Sequence, residues 1–129
     1  MTRVASGTLQ AATVIAKTTQ TTIGGIIHCS GYDYITLFFD YTKGDETGLL
    51  IQVHFLNSAA GTAYQDITWS AAAGTKTATA NQYTATATKS HYITVDIRGV
   101  EYIKFTQGGS NNDGTPTGTL AATYTMKAG

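Results

Sequence analysis

Charge is scarce in this chain. Of its 129 residues only 12% are Asp, Glu, Lys or Arg, eight of each sign, and the formal net charge is zero. That is about half the usual share. A nucleic-acid binder carries a basic stripe, so this balance and a pI near 6.8 argue against that partner. Cysteine occurs once, at Cys29, which excludes an intrachain disulfide and leaves the core to hold the fold. No apolar run approaches the roughly 18 residues of a membrane span. No basic-then-apolar leader opens the sequence either: MTRVASGTLQ reads as a true start, and the expectation is a chain made and folded in a cytosol. With so little charge to keep copies apart, the composition suits a subunit packed against others.

What is abundant is strand-forming. Threonine occurs 25 times and tyrosine eight times, with Ala and Gly filling much of the rest and one proline, Pro116. The length supports one domain with a real core, expected over residues 8–129. Residues 1–7 have nothing to bury and are expected as an arm, loose or docked on a partner.

The bulkiest stretch is GYDYITLFFDYTKGDETGLLIQVHFLNS, residues 31–58. Residues 34–41 and 49–57 alternate as strands around the polar, two-glycine connection at 42–48. A simple hairpin sets Tyr41 opposite Leu49, Phe39 opposite Ile51, Leu37 opposite Val53 and Ile35 opposite Phe55, one apolar ladder facing the core. Its other face would carry Tyr34 beside Leu56, Thr36 beside His54, Phe38 beside Gln52 and Asp40 beside Leu50. A solvated face should be mostly polar, and this one is only about half so. Either another segment of this chain covers it or a neighbouring subunit does.

The rest of the chain reads as short strands. Residues 9–17 and 22–29 form two, and Gly24-Gly25 marks a bulge or a close backbone approach in the second. Residues 63–70 alternate, while the Thr/Ala-rich run at 71–90 has strand period without bulk to fix register. In residues 91–98, Ile93, Val95 and Ile97 point inward and Tyr92, Thr94, Asp96 and Arg98 outward. Ile103 and Phe105 oppose Tyr102 and Lys104. Residues 108–118 are a loop by turn signals, and Leu120, Ala122, Tyr124 and Met126 share the face of a last strand. The fold class is all-β: an antiparallel two-sheet sandwich, jelly-roll-like, with eight to nine strands.

Reactive groups are few. His28 and Cys29 are adjacent on a strand and face opposite sides, and His28, His54 and His91 lack ligand-pair spacing, so no metal is expected. Asp40, Asp45 and Glu46 bracket the central turn without the alternating Asx ladder of a calcium loop; Lys43 neutralises them more simply in a solvated turn. No nucleophile elbow, phosphate-cradling loop or supported pair of acids appears, so neither enzymatic activity nor a cofactor is expected. Trp69 and outward tyrosines could stack on sugars, as in a carbohydrate-binding module, or lie in an interface.

The run YITLFFDYTKGDETGLLIQVHF, followed by a Thr/Ala/Gly-rich, strand-only remainder, resembles small β-sandwich structural proteins of tailed bacteriophage virions, capsid decoration (cement) or accessory subunits. The resemblance implies a non-enzymatic virion component, assembled in the host cytoplasm and placed on the capsid surface. It implies as partners the major capsid protein or other virion subunits, with further copies in a dimer or trimer, and neither nucleic acid nor membrane. A tail, neck or fibre-associated subunit is the alternative within that class. The candidate interface residues are Tyr34, Phe38, His54, Leu56, Trp69, Tyr92 and Tyr102.

Overall fold

A computed structural model describes residues 3–16, 20–59, 61, 63–64, 82–109 and 115–129. These hold ten strands: β1 (Arg3–Val14), β2 (Thr21–Thr22), β3 (Ile27–His28), β4 (Tyr34–Thr42), β5 (Leu49–Leu56), β6 (Ala63–Tyr64), β7 (Gln82–Ala85), β8 (Lys89–Asp96), β9 (Tyr102–Gly109) and β10 (Thr119–Ala128). One sheet runs β1-β10-β4-β8. The other is built on β9 and β5, with β2 and β3 along the free side of β9 and β6 and β7 along the free side of β5.

Counting β2 with β3 and β6 with β7 as single tracks leaves eight, four in each sheet. In chain order they read first-eighth-third-sixth in one sheet and second-seventh-fourth-fifth in the other. Successive tracks mostly change sheets, which is the double Greek key of a jelly roll. The all-β, two-sheet sandwich read from the strand periodicities is therefore the fold.

The central hairpin is not. Every residue of β4 is paired with β10, and all but its last also with β8, while β5 is paired with β9, β6 and β7. The two bulky strands face each other across the core instead of lying side by side. Their inward residues are those expected: Ile35, Leu37, Phe39 and Tyr41 from one, Leu49, Ile51, Val53 and Phe55 from the other, all buried. Alternation reports which face is apolar and says nothing of which strand lies alongside. Ile93, Val95, Ile103, Phe105, Leu120, Ala122 and Met126 complete the same core.

Two further expectations are corrected near the N-terminus. Residues 3–7 are no arm: they begin β1, with Arg3 opposite Ala128 and Gly7 opposite Tyr124. The backbone hydrogen bonds of a strand hold them without any buried bulk of their own. The strand expected over residues 22–29 is only the pairs β2 and β3, broken where Gly24 takes φ +67°. A Cβ there would meet the Leu9 carbonyl oxygen at 2.4 Å, so the close approach foreseen at this glycine is present.

The connection between β4 and β5 is not a solvated turn at Glu46. That side chain is 1% exposed. Its carboxylate accepts the Tyr41 hydroxyl, the Gly44 amide at 2.8 Å, the Gly118 amide at 2.9 Å and the Thr117 amide at 3.1 Å. Asp45 and Thr117 add a further bond, amide to hydroxyl, at 2.9 Å. The crossover is thus sewn to the segment leading into β10. Gly44 has no room for a side chain, since a Cβ would lie 2.1 Å from Thr117 Oγ1. Burial works against the Glu46 charge, but the hydrogen bonds from Tyr41, Gly44 and Gly118 outweigh it and bring the carboxyl pKa down to about 2.

The sign follows from that depression. Glu46 contributes stability that is fully present above its ordinary range near 4.5 and is lost as pH falls toward 2. The whole contribution is about 3 kcal/mol, of which about 2 kcal/mol should be gone by pH 3. Urea unfolding should show this acid-side slope in the native chain. Glu46→Gln should cost roughly 2–4 kcal/mol at pH 7 and flatten the slope. An unchanged pH profile in the variant would remove Glu46 from this role.

Candidate functional site

The outward residues of the β1-β10-β4-β8 sheet fall into rows fixed by the strand register. One row runs Val4, Lys127, Tyr34, Asp96. The next is hydroxylic throughout: Ser6, Thr125, Thr36, Thr94. The third runs Thr8, Thr123, Phe38, Tyr92, and beyond it lie Ala121, Asp40 and Ser90. Two aromatic rows therefore flank a band of hydroxyls. A shallow groove of about 340 Å³ lies on this face, lined by Tyr34, Thr36, Phe38, Thr94, Thr125 and Lys127.

Among the described residues little covers this surface. Tyr34 is 43% exposed, Phe38 45% and Tyr92 69%, high values for rings on a strand face. Phe38 and Tyr92 lie against each other with centroids 6.2 Å apart. Thr36 and Thr94 share a hydroxyl–hydroxyl bond of 2.9 Å. Arg98 lies over the Tyr34 ring at 5.6 Å while its Nη2 donates to Asp96 at 2.6 Å. That pairing lowers the Asp96 pKa and raises that of Arg98. At the opposite corner the Ser90 hydroxyl donates to Asp40 at 2.5 Å.

The outer face of the other sheet is different because the chain partly covers it. Thr106, which points outward, is only 5% exposed. Its hydroxyl donates to Gln20 Oε1 at 2.9 Å, leaving a lone pair for His54 Nε2–H at 3.1 Å. Burial, with Lys104 nearby, lowers the His54 pKa, so the ring is neutral in this network. Leu56 is 4% exposed and is thus enclosed by this chain rather than offered to a neighbour, a correction to its place among the candidates. Tyr102 is half-buried and stacks on His28 at 4.7 Å.

The structure therefore divides the seven candidates. Tyr34, Phe38 and Tyr92 come together on one open face; His54 and Tyr102 lie on the opposite side of the sandwich, and Leu56 is buried. Trp69 lies outside the described residues. The pairings Tyr34 with Leu56 and Phe38 with Gln52 fall with the hairpin, because those residues belong to different sheets.

The described histidines and Cys29 form no cluster with the carboxylates that could hold a metal ion. His91 points between the sheets, stacked on Phe39 at 5.3 Å and bonded through Nδ1 to the Tyr83 hydroxyl at 2.7 Å. Cys29 is buried, and burial pushes its thiol up to about 11. Among the described residues no group of three or more His, Cys, Asp and Glu is placed to hold a metal ion.

No protein-family model matches this chain, and no curated protein matches it in sequence. Its fold does recur among solved structures. The SPBc2 prophage-derived protein YomS superposes with a TM-score of 0.61 at 14% identity, over 99% of this chain and 96% of YomS. A Bacillus endospore appendage protein, from a family of disulfide-linked pili, gives 0.57 at 12% identity, covering 98% of this chain and 88% of that one. A chain of the infectious bursal disease virus Gx strain gives 0.57 at 11% identity, covering 98% of this chain but only 32% of the viral one. The likeness is one of fold. The sandwich that the sequence shares in texture with virion proteins is thus shared in three dimensions with proteins of prophage and viral origin.

The parity of β4 makes a sharp mutational contrast. Phe39→Ala removes a core ring and should destabilise by about 3–5 kcal/mol. Phe38→Ser, one position away and open to water, should change stability by no more than about 0.5 kcal/mol. Chemical denaturation of both variants measures this, and equal losses would mean that the outer face is covered.

Proposed function

We propose that this chain is a non-enzymatic structural protein of a virus particle, a decoration or cement subunit that binds and stabilises the coat lattice from the capsid surface. One observation supports the reading: a jelly roll leaves Tyr34, Phe38 and Tyr92 exposed together on a sheet face that none of the described residues covers. Exposed rings in one patch suit a neighbouring subunit, since aromatic residues are enriched where proteins meet. The fold likeness to proteins of prophage and viral origin supports the same class of role. The low and balanced charge fits a surface that must approach others of its kind without long-range repulsion.

Stabilisation would come from buried area, with a rigid sandwich laid across the junction of coat subunits. The partners are the major capsid protein or other virion subunits, met after assembly in the host cytoplasm. A fibre- or tail-associated station is the second reading, and the fold likeness to a pilus-forming protein favours it.

Cryo-electron microscopy of purified particles tests both. The expected result is density for the jelly roll on the outer shell, at junctions between coat subunits. Density confined to the tail or a fibre would select the second reading. Absence of the protein from gradient-purified particles, by mass spectrometry, would overturn both.

A further inference from the structure

We infer that the exposed face of the β1-β10-β4-β8 sheet is the contact between two copies of this chain, packed face to face about a two-fold axis along the Ser6–Thr125–Thr36–Thr94 row. This rests on the reading of the protein as an assembling subunit and names the partner of that surface. The argument is self-complementarity, which a two-fold interface requires: the same patch must serve on both sides.

A two-fold axis along that row turns the sheet over and exchanges the rows on either side. Tyr34 of one copy then faces Phe38 of the other, and the reverse contact repeats it, so ring meets ring twice. The hydroxyl row meets itself, and threonine hydroxyls both donate and accept. The charges agree as well. Among the described residues Lys127 has no carboxylate within 4 Å, whereas Asp96 and Arg98 already neutralise each other. Asp40, on the far side of the axis, accepts the Ser90 hydroxyl and has no cation within 4 Å among the described residues. The exchange of rows brings Lys127 of each copy within side-chain reach of Asp40 of the other. Like charges are never opposed.

A partner with an extended strand would gain little here. A strand laid on this face would meet side chains only, since unpaired backbone donors and acceptors point along the sheet from its β1 and β8 edges and not out of the face. Size sets the strength. Four strands about 4.8 Å apart and four rows about 6.8 Å apart give a footprint of roughly 500 Å² per copy, near the lower bound of specific interfaces. The dimer should therefore form at micromolar to hundred-micromolar concentration.

Sedimentation equilibrium from about 1 to 200 μM should show reversible dimerisation of the native chain. Phe38→Asp should weaken it at least tenfold with the thermal transition retained. Site-directed cross-linking then reads the geometry. Thr36→Cys lies on the axis and should be joined to its own copy by a short bis-maleimide. Tyr34→Cys and Phe38→Cys should each stay largely monomeric alone and cross-link when mixed. Cys29 is buried and should not contribute. A native chain that is monomeric at 200 μM, a Phe38→Asp variant that dimerises unchanged, or cross-linking indifferent to these positions would each overturn the proposal. Loss of the protein from purified particles would instead overturn the virion reading and leave the solution dimer standing.

Discussion

A buried carboxylate stands where the chain changes sheets. Apolar ladders on β4 and β5 would bury as much area side by side as face to face, so burial alone does not choose between a hairpin and a crossover. The Glu46 side chain pins the near end of the crossover. It draws donors from Tyr41, Gly44, Thr117 and Gly118, which the β4–β10 pairing, with Thr42 opposite Thr119, brings to one place. A buried charge without such partners is among the costliest defects in a fold. The connection is therefore stabilised as well as pinned to the start of β10, and Gly44 and Gly118 follow as the positions where backbones must touch.

With that crossover in place the two outer surfaces of the sandwich have unlike fates. On the β9-β5 side, Gln20 closes over Thr106 and His54, and the polar groups there are answered within the chain. On the β1-β10-β4-β8 side, rings and hydroxyls alternate in rows that no described segment covers. The division comes from connectivity. Residue 20 lies in the link from β1 to β2, which enters the second sheet at its edge, whereas no described link passes over the face of the first.

Much of this was legible in the residues. Alternation placed Ile35, Leu37, Phe39 and Tyr41 inward, and likewise Ile93, Val95, Ile103 and Phe105, because the two-residue period of a strand needs no knowledge of neighbours. It also marked Tyr34, Phe38 and Tyr92 as outward. Partnership was not legible: a seven-residue connection fits a wide hairpin or a crossing between sheets, and only long-range contacts decide. Glu46 was hidden for the same reason, since its donors at 117 and 118 lie about seventy positions away and a lone Glu in a charged turn looks solvated. Leu56 kept its hydrophobic character but lost its assumed exposure, and residues 3–7 found backbone pairing that no side chain announces.

The threonine band explains how such a face can serve both a free chain and an assembled one. Hydroxyls are wet in the monomer and can bond to one another when water leaves, so association need not strand polar groups. A wholly apolar face would bind more tightly and would also aggregate before assembly. A weak contact suffices where many copies sit on one lattice, because each attached neighbour raises the effective concentration of the next. In the proposed dimer the scarcity of charge and the excess of threonine serve one end: a surface able to lose its water reversibly, with Lys127 and Asp40 setting the register.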